Sequence, residues 1–275
     1  MKAFMMRSVK ARLGLAFVLT IALGGCGGET GDAPEAGETP GAAGEGAAAD
    51  AAPGGATGYA VVDVSNGGVI RGTIRFEGTV PPPDRIAASE DAETCGEYKE
   101  VQPLVVAADG GLADAVVSLV DIGHGAALAT PPSPPALDQN GCSFSPHVLV
   151  VAAGAPVAIL NSDPIMHNVH TLTFENRAVN RSQPPGVKKI EVEFPVPEKV
   201  KVRCDVHDWM NAWIIVVDHP YHVVTGADGG FMIENVPPGT YTLEVWHESL
   251  GTTSKTVTVE PGGTAEAGIV MTAEG

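Results

Sequence analysis

Basic residues are scarce in this chain. Lys and Arg number 16 against 33 Asp and Glu in 275 residues, for a net charge of −17. Four of the 16 (Lys2, Arg7, Lys10 and Arg12) fall in the first 12 positions. The chain beyond residue 25 therefore keeps 12 basic against 33 acidic residues, or −21 over 250 residues. Phosphate backbones repel such a surface, which excludes nucleic-acid binding. Long apolar runs are missing as well. The most apolar run, Leu13 to Leu23, has 11 residues, and a spanning helix needs roughly 20. No C-x2-C pair is present, which argues against a structural zinc site. No segment after residue 25 carries a 3.6-residue apolar stripe, so amphipathic helices are not expected. No Ser/His/Asp triad, paired-carboxylate motif or phosphate loop stands out, and the chain is not read as an enzyme.

What is abundant is turn chemistry. Gly (34) and Pro (22) make up 56 residues without a collagen period, which favours a turn-rich β protein. At the N-terminus, the four cationic residues precede the apolar run and then Leu23-Gly24-Gly25-Cys26. A charged start, a short apolar stretch and small residues before a cut site describe a secretory signal over 1–25. The ending resembles a bacterial lipobox, which implies that Cys26 is lipidated and the chain held at a membrane outside the cytoplasm, on the periplasmic side or in the outer membrane. Residues 27–58 contain only Gly, Ala, Pro, Thr, Glu and Asp. They cannot bury enough surface to offset chain entropy, so 26–58 reads as a disordered tether. As a coil it spans about 30 Å.

From Tyr59 onward, short alternating strands are separated by Gly, Pro and Asp turns. Ile70, Ile74 and Phe76 alternate with Arg71, Thr73 and Arg75; Ile190, Val192 and Phe194 alternate with Lys189, Glu191 and Glu193. About 215 residues in this style imply an all-β fold of one or two sandwiches. In Lys199–Val206, alternation puts Val200, Val202 and Cys204 on one face, so Cys204 is aimed inward at a strand end.

Beside it, Cys204-Asp205-Val206-His207-Asp208-Trp209-Met210 collects a thiol, an imidazole and a thioether in seven residues. A second imidazole, His167, lies 37 residues upstream of Cys204 in Asn161-Ser162-Asp163-Pro164-Ile165-Met166-His167-Asn168-Val169-His170. One Cys and two His with a weak Met ligand is the donor set of blue copper sites. A binuclear copper centre would need a second Cys in the loop.

At these residues the sequence resembles the cupredoxins, the amicyanin type more than the plastocyanin type. The resemblance is carried by Phe144-Ser145-Pro146, Gly154-Ala155-Pro156-Val157, Asn161, His167-Asn168-Val169, and Cys204, His207 and Met210, over roughly 143–218. It implies a Greek-key sandwich holding one type 1 copper on His167, Cys204, His207 and Met210. It also implies that Asn168 locks the two ligand loops together and that His207 is the partly exposed ligand through which electrons pass. Asp208 stands where that type has Pro, and Trp209 and Trp213 flank Met210. His170 points to the opposite face from Val169 and is read as structural. His124, His147, His219 and His247 have no ligand-like setting.

Residues 222–275, with Thr225-Gly226-Ala227-Asp228-Gly229-Gly230-Phe231 and Asn235-Val236-Pro237-Pro238-Gly239-Thr240-Tyr241, resemble the second half of a carboxypeptidase regulatory-like (transthyretin-like) sandwich. Gly68–Ile74 and Ala115–Leu119 fit its first half. The expected organisation is therefore a first half over 59–122, a Pro-rich linker over 123–142, a cupredoxin over 143–218 and a second half over 219–275, with the cupredoxin as an insertion. With Cys26 lipidated and Cys204 given to copper, Cys95 and Cys142 are expected to pair in an oxidising compartment. The function implied is one-electron transfer, with a basic redox partner such as a c-type cytochrome. Copper storage or delivery, or a metal-free structural module, stand as alternatives.

Overall fold

The computed structural model describes residues 58–273. Cys26, the signal segment and the tether up to residue 57 lie outside the described residues. Among the described residues no helix is long and apolar enough to cross a membrane.

Two β-sandwiches account for nearly everything described. In the first, one sheet runs in the order His222–Val224, Val116–Val120, Gly239–His247, Gly251–Val259, and the facing sheet centres on Gly68–Glu77. That central strand pairs antiparallel with Gly230–Val236, then parallel with Thr264–Glu266 and Ile269–Thr272 in succession. The change of partner falls at Gly72, where a Cβ would sit 2.6 Å from the Ala267 carbonyl oxygen. Only glycine permits that approach. The alternation read from sequence explains the packing: Ile70, Ile74 and Phe76 enter the core with Leu119, Leu243 and Val245, while Arg71 and Arg75 do not. This sandwich is thus closed by strands from both ends of the described chain, 68–120 and 222–272.

Between those ends lies the second sandwich. One sheet has the order Lys189–Glu193, Pro156–Asn161, Ala136–Gln139, Phe144–Ser145. The other has Asn180–Gln183, His167–Leu172, Glu198–Arg203, Asn211–Val217, Val148–Ala152. Its core contains Leu137, Val157, Ile159, Val169, Phe194, Val200, Val202 and Ile214. A small apolar seam of Val116, Val148 and Ile215 joins the sandwiches, with the Trp213 and Trp246 rings edge-on at 4.8 Å.

The structure redraws two expected boundaries. The Pro-rich stretch 123–142 is not linker throughout: Ala136–Gln139 is a strand pairing parallel with Pro156–Asn161, and Leu137 and Gln139 are fully buried. Four residues after a Pro run are too few to display alternation. Nor does all of 59–122 join the first sandwich. Asp84–Ala87 and Tyr98–Val101 form a hairpin with the short helix Ala92–Cys95 between them. Ile86, Ala88, Cys95 and Val101 of this hairpin pack on the second core.

Candidate metal centre

The inward aim of Cys204 follows from the strand before it. Val200 and Val202 are fully buried, and the alternation carries Cys204 into the same interior as the strand ends at Arg203. The chain then folds back on itself. Met210 N–H donates to the His207 carbonyl at 3.0 Å, and Cys204 N–H to the Met210 carbonyl at 3.1 Å. This tight loop brings His207 beside Cys204 and buries the Met210 side chain in the core that also holds Cys204 and Trp209.

His167 opens the neighbouring strand His167–Leu172, which pairs antiparallel with Glu198–Arg203. The pairing sets the start of one strand beside the end of the other, so His167 meets the Cys204 loop. The donor atoms of His167, Cys204 and His207 all lie within 4.8 Å of one another, and all three residues are buried. The two Nδ1 atoms are 3.0 Å apart, and Cys204 Sγ is 3.8 Å from His207 Nδ1. Cys204 is the free cysteine among the described residues; Cys95 and Cys142 form the expected disulfide.

Each imidazole turns its other nitrogen to a carboxylate. His167 Nε2 lies 2.8 Å from Asp163 Oδ2, and His207 Nε2 lies 3.2 Å from Asp91 Oδ2. A carboxylate oxygen at each Nε2 is an acceptor for a ring hydrogen there, which favours the Nε2–H tautomer of both rings. Both Nδ1 atoms then direct lone pairs at each other and toward the sulfur. At 3.0 Å the two nitrogens are close enough to share one hydrogen, or to bind one cation in its place. The residues therefore fit a metal ion, and two imidazoles with a cysteine sulfur fit copper better than a hard cation; the Met210 side chain is buried in the same core. Burial holds the basicity of His167 below that of an ordinary imidazole, keeping it neutral and able to ligate, although Asp163 works in the other direction. Burial acts to raise the Asp163 carboxyl. Hydrogen bonds from Cys142 N–H, His167 and Gly141 N–H outweigh it and hold the group ionised.

Asn168 bonds across to the Cys204 loop through both its side chain and its backbone. Its Oδ1 accepts from Asp205 N–H at 3.2 Å and its Nδ2 donates to Asn180 at 2.7 Å, while its backbone N–H donates to Cys204 Sγ at 3.4 Å. Asn161 anchors the other loop, donating to the Ile165 and Gln183 carbonyls and accepting from Asp163 N–H.

One expectation fails. His207 is not partly exposed: its side chain is 0% accessible. The Asp84–Val101 hairpin brings Asp91 against the ring, and the Trp209 ring lies tilted against it with centroids 5.0 Å apart. A segment more than 100 residues distant in sequence supplies this cover, so local spacing could not reveal it. Asp91 and Asp163 escape the sequence reading for different reasons. Asp163 stands four residues before His167, within hydrogen-bond reach of a ligand loop, and that spacing is a usable signal. Asp91 carries no such signal.

The remaining histidines sit elsewhere. His170 meets both carboxylate oxygens of Asp205 at 2.9 Å. His147 is paired with Glu248, which raises its basicity against the opposing effect of burial. His124 is exposed, His219 packs between Tyr59 and Tyr221, and His247 is buried.

Residues 210–272 match the carboxypeptidase regulatory-like domain family. No curated protein matches the chain. Among solved structures, the chain is similar to the Cu-containing nitrite reductase (NirK) from Thermus scotoductus SA-01, at 21% identity over 37% of this chain and 25% of that one, with a TM-score of 0.30. It is similar to the reduced Cu(I) form of an amicyanin mutant, at 18% identity over 32% of this chain and 86% of that one, TM-score 0.29. It is also similar to a purple cupredoxin from Nitrosopumilus maritimus, at 18% identity over 30% and 99%, TM-score 0.26. The chain thus spans a quarter of the nitrite reductase but most of the two small cupredoxins. The described residues form an all-β protein, of which 210–272 match the carboxypeptidase regulatory-like domain family.

Proposed function

We propose that this chain is an extracytoplasmic electron carrier that holds one type 1 copper on His167, Cys204, His207 and Met210 and is tethered to a membrane through Cys26. The observation that carries the reading is the convergence of a free thiol and two imidazoles in one buried cluster, with donor atoms all within 4.8 Å of one another. When bound, copper supplies a one-electron couple. The chain's part is to hold the donors in place, exclude water and keep the sulfur oriented through Asn168 N–H. A rigid pocket of this kind changes little with oxidation state, which keeps the cost of each electron transfer low.

The high acidity of the chain favours a basic redox partner, such as a c-type cytochrome, with an association weakened by salt. Such a partner meets the site through the thin cover of Asp91, whose side chain is 37% exposed, rather than at an open imidazole edge. The regulatory-like sandwich serves as scaffold in this reading.

The test is a Cu(II) titration of the apoprotein. One equivalent should produce an intense visible thiolate charge-transfer band that Cys204→Ser abolishes. No band, or a band that survives the substitution, overturns the assignment in favour of a metal-free module. Rapid loss of copper upon redox cycling would point instead to storage or delivery.

A further inference from the structure

The two carboxylates at the imidazoles are connected. Cys142 N–H donates to Asp163 Oδ2 at 2.8 Å, and Cys142 is bonded to Cys95, the last residue of the short helix that Asp91 opens. One disulfide therefore ties the loop holding the His167 partner to the segment carrying the His207 partner. Trp209 Nε1–H donates to the Cys142 carbonyl at 2.9 Å, joining the ligand loop to the same point.

Asp91 is placed in a way its local role does not require. It occupies the cap position of the Ala92–Cys95 helix, where an Asp side chain ordinarily accepts a backbone N–H from the first turn. Here the side chain makes no such bond. The Asp91 carbonyl accepts from Thr94 and Cys95 N–H instead, and the carboxylate is left for His207. Its backbone lies in the left-handed region, at φ 53° and ψ 30°. A non-glycine residue held there is uncommon and, where surrounding structure maintains it, often marks a working position.

We infer that Asp91 is a positioning residue for the metal centre. It fixes His207 as the Nε2–H tautomer with Nδ1 turned inward, seals the ring edge from water, and adds a negative charge that favours the more oxidised state of a bound metal. The disulfide holds it in place. The inference rests on the metal reading above for its redox consequence, but not for its tautomer consequence.

The experiment uses the full mature chain and its Asp91→Asn and Asp91→Ala variants, with disulfide formation checked by mass. Nitrogen-15 NMR of the apoprotein reads the imidazoles directly. Wild type should show a solvent-protected Nε2–H on His207. Asp91→Asn, which retains an acceptor, should keep it, and Asp91→Ala should lose it through at least tenfold faster exchange. In the copper-loaded protein, both variants should shift the Cu(II)/Cu(I) ratio at fixed potential about tenfold toward Cu(I), equivalent to about 59 mV. An unchanged His207 tautomer and exchange rate in Asp91→Ala overturns the positioning role. So does an unchanged potential in both variants. If wild type binds no copper, the function proposed above fails, while the apoprotein spectra still decide whether Asp91 positions His207.

Discussion

The indole Nε1–H of Trp209 donates to the carbonyl oxygen of Cys142 at 2.9 Å, although the two residues are 67 positions apart. Trp209 belongs to the loop that supplies His207 and Met210, and Cys142 to the disulfide that holds the hairpin over that loop. The bond makes the staple part of the site's frame as well as of the fold.

Opening the staple should therefore act on stability and site together. The Cys95–Cys142 bond closes a loop of sequence separation 47, and the chain-entropy estimate for such a loop is about 4 kcal/mol. The double substitution Cys95→Ala/Cys142→Ala should lower the guanidinium midpoint accordingly and increase solvent access to His207. An unchanged midpoint in denaturant unfolding would show that the bond constrains nothing in the unfolded chain.

Asn168→Ala removes the acceptor for Asp205 N–H and the donor to Asn180, in a residue that is almost wholly buried. A stranded buried group costs about 1–3 kcal/mol. We expect a loss in that range and a broadened copper band, because the Cys204 loop loses its tie to the His167 strand. Asn168→Asp keeps the acceptor but not the donor, and should fall between the two.

Acid should destabilise the fold through His222. Burial, followed by the charge of His219, lowers its pKa to about 4 from an ordinary value of 6.5. The unfolded chain then takes up a proton below 6.5 that the folded chain refuses, so stability falls as pH drops from 6.5 to 4 and levels off beneath. The loss attributable to this group is at most about 3 kcal/mol. His147 acts with the opposite sign. Paired with Glu248, its basicity is raised, and its contribution is present below 6.5 and fades as pH rises through its folded value. Thermal melts against pH should show His222→Asn flattening the acid limb and His147→Asn flattening the alkaline one.

Phe174 and Glu198 separate exposure from importance. Phe174 is 95% exposed, and Phe174→Ala should change stability by no more than about 0.5 kcal/mol. The Glu198 carboxylate accepts from the backbone N–H groups of Phe174, Glu175 and Asn176 and from the Asn176 side chain at 2.9 Å. Glu198→Ala leaves the buried Asn176 groups without this acceptor, while water can reach the exposed Phe174 and Glu175 N–H groups, and should cost about 1–2 kcal/mol. Urea unfolding of the two variants in parallel checks the order.

Much of this architecture can be read along the chain because it depends on local alternation. Ile70, Ile74 and Phe76 lie in one core, and Val200 and Val202 in the other, because a strand turns successive side chains to opposite faces. The same rule aims Cys204 inward, and the short loop after it brings His207 and Met210 along. Where a strand is too short to alternate, as at Ala136–Gln139, the sequence misleads. The Asp84–Val101 hairpin goes to the core that the sequence does not suggest, for want of any signal of its destination.

The sequence by itself determined the acidity, the all-β pattern and the clustering of donor types around Cys204, since each follows from composition or from neighbours within a few residues. Only the tertiary structure decided that His207 is sealed, that Asp91 seals it, and that both ends of the described chain close one sandwich. Those outcomes depend on contacts between residues far apart in the chain, here 116 positions for Asp91 and His207. No periodicity records such contacts, because they are set by how the packed sheets bring distant loops together.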